Sequence, residues 1–107
     1  MKTNELTGRA LDWAAAKCEG RDLLNIYGGL QMVFCPYYST EWFDGGPIIE
    51  REKIAIVPLA WKWEAQYEAP DLNGHVFHGN TPLIAAMRCY VTSKLGDEIE
   101  IPQELTT

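Results

Sequence analysis

Two periodicities organise this chain. Over residues 81–96, apolar side chains recur at helical spacing: at about 100° per residue Leu83, Ile84, Met87, Tyr90, Val91 and Leu95 share one broad face, with Ala86, Cys89 and Ser93 largely opposite. Both ends of that helix are written into the chain. Thr81 is suited to accept a backbone N–H as N-cap, Pro82 has the preset φ and missing donor of a first helical residue, and Gly96 suits a left-handed C-terminal stop. The second period is two. Trp61, Trp63, Ala65 and Tyr67 alternate with Lys62, Glu64 and Gln66, which predicts a strand with its aromatic side covered and its polar side toward water.

The remaining segments extend these two patterns. A first helix is predicted from Thr7 to Gly20, with Leu6 and Leu11 at hydrophobic-staple spacing. Leu11, Ala14, Ala15 and Cys18 form a stripe narrow enough for close approach to a sheet or to the C-terminal helix. Trp13 points away from that stripe, to pack under a loop, to meet a second subunit or to wall a pocket. Residues 23–27 and 30–35 are β-leaning runs around Gly28 and Gly29, the pattern of a two-residue hairpin. Residues 36–46 read as a shaped loop holding one helical turn, after which Gly46 as N-cap and Pro47 as first residue predict a short helix to Glu52. Residues 54–59 have strand length and end at Pro58, which cannot donate to a ladder, and a tight antiparallel hairpin joins them to the strand at 61–67. Asn73-Gly74 marks a turn, residues 75–78 a short edge strand, and residues 99–101 a last strand stopped by Pro102. The fold class is α+β: an antiparallel β meander packed against N-terminal and C-terminal helices in two layers.

A chain of 107 residues is long enough for one core and short for two, so a single domain is expected. Hydrophobic residues make up 47% and charged residues 22%, the balance of a folded soluble protein. No apolar run approaches the ~20 residues that span a bilayer, and the start of the chain, residues 1–5, lacks a signal peptide's apolar segment. These features predict a protein of the cytoplasm that does not engage membranes. Cys18, Cys35 and Cys89 are odd in number and lack CxxC spacing, which predicts reduced, buried thiols. A net charge of −6 with no basic block argues against nucleic-acid phosphates as a partner and suits a protein with a basic surface.

Three segments carry a family resemblance. They are Glu5-Leu6-Thr7-Gly8-Arg9-Ala10-Leu11-Asp12-Trp13 through Gly20; Ser39-Thr40-Glu41-Trp42 with Gly45-Gly46-Pro47-Ile48-Ile49-Glu50-Arg51-Glu52; and Thr81-Pro82-Leu83-Ile84-Ala85-Ala86-Met87-Arg88 through Pro102. In order and length they resemble the NinX family, small accessory proteins of lambda-like tailed phages. Residues 21–35 and 55–78 follow the pattern loosely, and Lys53 stands where it leads to a glycine. The resemblance implies a phage origin and an accessory role inside an infected bacterium. It supplies no activity and no catalytic residue.

The residues themselves nominate one candidate ligand-binding set: Tyr37, Tyr38, Ser39, Trp42, Gly45, Gly46, Arg51 and Arg88. Tyr37, Tyr38, Trp42 and Phe43 offer faces for a ring, and the glycines leave amides accessible at a helix N-terminus, which favours anions. Arg88 sits beside the apolar face of its helix and so requires a carboxylate or an anionic ligand; Glu50, Glu52 and Asp97 are the carboxylates considered for it. His75 and His78 give two ligands where zinc needs three or four, and neither a GxSxG elbow nor a Cys–His pair is present, so no metal, cofactor or catalysis is expected. Three readings follow. The first is a non-enzymatic accessory protein binding a small anionic, nucleotide-like ligand, as in sequestering a host defence signal. The second is a protein-interaction module that inhibits or redirects a host factor through acidic surface and aromatic anchors such as Trp13 or Trp42. The third is an adaptor in phage recombination or replication. Four tryptophans in so small a core also favour a homo-oligomer.

Overall fold

The computed structural model describes residues 1–23, 29–67 and 75–105. Its elements in chain order are α1 (Gly8–Cys18), α2 (Trp42–Glu52), β1 (Ile54–Pro58), β2 (Trp63–Tyr67), β3 (Phe77–Gly79) and α3 (Pro82–Leu95). The strands form one antiparallel sheet in the order β1-β2-β3, a meander. One layer is this sheet and the other is helical: α3 lies against all three strands, and α1 and α2 pack against α3. The architecture is the α+β arrangement that the two periodicities predict.

α3 begins and ends as its sequence dictates. Thr81 Oγ1 accepts the Ile84 N–H at 3.1 Å, Pro82 follows at N1, and Gly96 stops the helix with φ 89°. The expected division into covered and open faces is wrong, however: Ala85, Ala86 and Cys89 are as deeply buried as Leu83, Met87 and Val91. The reason is a second neighbour. α1 covers the side of α3 turned away from the sheet, and its Ala14, Ala15 and Ala16, all fully buried, let the two helices approach closely. Leu6 and Leu11 are likewise fully buried, and Gly20 closes α1 in a Schellman arrangement, Gly20 N–H to Lys17 at 3.1 Å and Arg21 N–H to Ala16 at 2.9 Å. Each large side chain fully covered here contributes about 1.5–3 kcal/mol relative to leaving it in water.

Four other expectations are corrected. Residues 42–52 form one helix, not a loop followed by a short helix: Glu41 is the N-cap, and Pro47 lies inside α2. The carbonyl that Pro47 leaves unbonded belongs to Phe43, which is 91% exposed, so water can take the missing donor's place. Trp61 is outside the sheet and 94% exposed. Leu59 N–H bonds the Lys62 carbonyl at 2.8 Å, which makes Ala60 and Trp61 the two central residues of the hairpin turn and leaves Trp63, Ala65 and Tyr67 to face α3. The predicted strand at 30–35 is a 3₁₀ turn at Met32–Phe34, because the carbonyls of Met32, Cys35 and Pro36 converge on the Arg9 guanidinium at 2.9, 2.9 and 3.2 Å. Residues 99–101 form no strand; Ile99 instead pairs with the chain start, its N–H bonding Met1 at 2.9 Å. The edge strand expected at 75–78 is present but shorter, starting two residues later, at Phe77–Gly79. The predicted strand at 23–27 with its Gly28 turn, and the Asn73-Gly74 turn, fall on or across positions outside the described residues.

Lys53 ends α2 in the left-handed region, φ 56° and ψ 49°, a conformation that costs a side-chain-bearing residue roughly 1–2 kcal/mol. Lys53→Gly is expected to raise the melting temperature by about 4 °C or more in a thermal melt, since relief of that strain exceeds the added unfolded-state entropy. Gly79 is the opposite case: a Cβ there would lie 2.6 Å from the Ala85 nitrogen and 2.7 Å from Ile84 Cγ2. Gly79→Ala is expected to cost ~1–3 kcal/mol in urea unfolding, because β3 must move off α3 to admit it.

Candidate functional site

The loop before α2 is held from beneath by an ion pair whose carboxylate is buried. Asp12, 1% exposed, accepts Arg9 Nη1 at 2.8 Å and the Ser39 N–H at 2.8 Å. The Arg9 guanidinium also stacks on Tyr37, 3.9 Å from the ring centre, and the Tyr37 N–H donates to Asp44 Oδ2 at 2.9 Å. Arg9 thus gathers the 3₁₀ turn and Tyr37, while Asp12 and Asp44 fix the two ends of the short stretch between them.

This scaffold separates the eight nominated residues. Tyr38 and Ser39 are buried, and the Ser39 hydroxyl donates to the Gly8 carbonyl at 3.4 Å. Gly45 is buried because a Cβ there would run into the Tyr38 carbonyl and the Leu83 side chain; its amide bonds the Glu41 carbonyl at 2.9 Å. With Gly45 and Gly46 inside α2, the anion-favouring helix start expected at Pro47 does not exist. Tyr37 and Trp42 reach the surface. Trp42 also borders a cleft of about 330 Å³ with Ser39, Thr40, Thr81, Pro82, Leu83 and Ile84, a mostly apolar lining.

Neither arginine belongs to that cleft. Arg51 lies nine positions along α2 from Trp42, about 13 Å by helical rise. It bonds Glu19 through both terminal nitrogens at 3.0 and 2.6 Å, Glu52 at 3.1 Å and the Tyr90 hydroxyl at 3.1 Å, while Tyr90 donates to Glu19 at 2.5 Å. Lys94 adds a contact to Glu52 at 3.6 Å. Arg88 takes neither a carboxylate nor a ligand position: Nε donates to the Leu6 carbonyl at 2.9 Å and Nη1 to the His78 carbonyl at 2.7 Å, and burial pulls its pKa down. The expectation of a carboxylate overlooked that main-chain carbonyls also satisfy a guanidinium.

Nucleophiles and metal ligands are similarly engaged. Burial pushes the thiols of Cys18 and Cys35 up to about 11 and that of Cys89 to about 12, which keeps them protonated and unreactive near neutrality. His78 Nε2 sits 3.4 Å from Glu64 across the β2-β3 pair, and no cluster of three metal-ligating side chains occurs among the described residues. Trp13 is buried and walls a second cleft of about 320 Å³ with Lys17, Gly20, Arg21, Asp22 and Leu23.

What sequence reasoning missed is that Val33 and Phe34 are exposed along with Tyr37, Trp42 and Phe43. Val33, Phe34, Tyr37, Trp42 and Phe43 are 82, 68, 51, 54 and 91% exposed, all within the segment that Arg9 and Asp44 tie together. Val33 and Phe34 gave no signal because they read as strand residues. Arg9 and Asp12, one turn apart in an otherwise apolar helix, were the visible sign of a buried polar anchor.

The Glu19 network has a pH signature. Hydrogen bonds from Arg51, and after them from Tyr90, hold the Glu19 carboxyl below its ordinary value of 4.5 against the opposing effect of burial. A depressed carboxyl stabilises the fold above its unfolded pKa and loses that contribution as pH falls through the folded value. Glu19→Gln is therefore expected to unfold roughly 1 kcal/mol more easily than the parent at about pH 7, with the deficit fading by about pH 3 in urea titrations. An equal deficit at both pH values would rule out ionisation as its source.

Residues 2–94 match the model of the family described as Bacteriophage P22, NinX. No curated protein matches the chain. The match spans nearly all of the segment that forms α1, the loop anchored by Asp12, α2, the sheet and α3, and on that basis the chain belongs to the NinX family of bacteriophage proteins.

Proposed function

We propose that this phage protein works by binding another protein, inhibiting or redirecting a host factor, without chemistry of its own. The observation that carries the reading is the set of exposed apolar side chains, Val33, Phe34, Tyr37, Trp42 and Phe43, on a segment tethered through Asp12 and Asp44. Aromatic side chains dominate the energetics of protein interfaces, and an exposed cluster of them on so small a chain is costly in water unless a partner covers it. The chain's net charge of −6 favours a partner with a basic surface. The setting of this reading is the cytoplasm of an infected bacterium. The small-anion reading draws less support: Trp42 keeps a cleft beside it, while Arg51 and Arg88 are committed elsewhere.

The test uses Phe34→Ser/Phe43→Ser, two side chains outside the Trp42 cleft. Tagged parent protein recovered from infected cells is expected to carry a stoichiometric polypeptide, and the double variant to bind the isolated partner at least about thirty-fold more weakly with its melting temperature unchanged. Recovery of a nucleotide with the parent and no enriched polypeptide would replace this reading with sequestration.

A further inference from the structure

The hairpin joining β1 to β2 ends in a side chain that the fold does not use. Two-residue connections favour φ > 0, and hence Gly, Asn or Asp at the turn. This one is Ala60-Trp61, and among the described residues Lys53 is the only one besides glycines with positive φ. Trp61 therefore does nothing for the turn, and its 94% exposure means that it does nothing for the core. Leu59 beside it is exposed as well. A residue that breaks local preference with no gain in packing marks a position kept for function.

Strand pairing fixes where this tip lies. Trp63 is opposite Gly79, the last residue of β3, so the tip projects past the point where the chain reverses through Asn80 and Thr81 into α3. Thr81 and the first turn of α3 line the cleft that Trp42 borders at the start of α2. The hairpin tip and the starts of α2 and α3 thus share one end of the molecule, with Trp42, Phe43 and Trp61 as its exposed aromatic side chains. The opposite end of α3 is polar instead: Tyr67 meets Ser93, Lys94 meets Glu52, and Tyr90 meets Arg51 and Glu19.

We infer that Trp61 is a second anchor of the protein-binding surface proposed above, covered by the same partner that covers Trp42 and Phe43. The inference rests on that reading and extends its surface across the start of α3. Reach permits it. Two residues of chain on either side of the Trp63–Gly79 pair, together with the spacing of paired strands, place the main chain of Trp61 within about 20 Å of Thr81. A partner burying about 800 Å² on its side covers a patch roughly 30 Å across, enough to take in the tip and the Trp42 cleft together. An indole on a projecting turn keeps almost all its area for insertion, so the partner is a folded protein with an apolar recess beside the surface that meets Phe43.

Photocrosslinking of the full chain in infected cells tests this, with benzoylphenylalanine in place of Phe43 in one sample and of Ala60 in another. The same polypeptide is expected at both positions. Capture of a polypeptide at only one of them, or of a different polypeptide, a lipid, a nucleic acid or a second copy of this chain at Ala60, would overturn the inference and leave a protein-binding function standing. No polypeptide at either position would overturn both. Ala60→Asn/Trp61→Gly supplies the residues that the turn favours, and is expected to melt no lower than the parent while binding the isolated partner at least about thirty-fold more weakly. Should that variant fail to fold, Trp61→Ser decides by the same measurement. Affinity equal to the parent's would show that Trp61 is no anchor.

Discussion

Leu83, Ala85, Ala86, Met87, Cys89, Tyr90 and Val91 are all buried, and covering α3 on both its sheet and its helix sides dictates where the other elements go. Three short strands supply one wall. Five-residue strands are too short to be stable as a free hairpin, and here they gain stability from the helix they cover. The second wall must approach closely, which is why α1 is built around Ala14, Ala15 and Ala16 and why Gly79 and Gly45 occur where α3 meets β3 and α2.

An apolar rod this thoroughly enclosed forces an answer to the polar groups left inside with it. Arg88 and Arg9 give the same answer from different helices: each spreads its guanidinium over main-chain carbonyls that regular secondary structure leaves unbonded. Arg88 ties the chain start to β3, and Arg9 shapes the turn at residues 32–36. Thr3 does the same on a smaller scale, with its hydroxyl bonding Gly96 at 2.8 Å and accepting from Thr92 at 2.9 Å. Tertiary hydrogen bonding to side chains here replaces the secondary structure that these segments lack.

How much was legible follows from this division of labour. α3, α1 and the β1-β2 hairpin were readable because period, cap and breaker agree locally; Thr81, Pro82, Gly20 and Pro58 each act within a few residues of where they stand. The extent of α2 was not, since whether Pro47 starts a helix or sits inside one depends on whether the Phe43 carbonyl meets solvent. Trp61 was assigned to the sheet by an alternation that the turn interrupts, and one hydrogen bond between Leu59 and Lys62 decides it. The candidate site failed to assemble for a related reason: Gly45 and Ser39 are determined by close approach and by Asp12, contacts distant in sequence, whereas loop composition reports only that aromatics and glycines are near one another.

Lys53 joins these levels. A glycine was expected at this position, and the turn explains the expectation: the chain passes there from α2 into β1 with φ 56°. That turn sets the direction in which β1 leaves the helix. Holding a lysine in the left-handed region costs stability, yet it places a charge beside an otherwise uncharged strand, the device by which edges are kept from promiscuous pairing. A charge at one end of β1 leaves the centre of the strand uncharged. The same residue that strains the turn thereby guards one end of the strand.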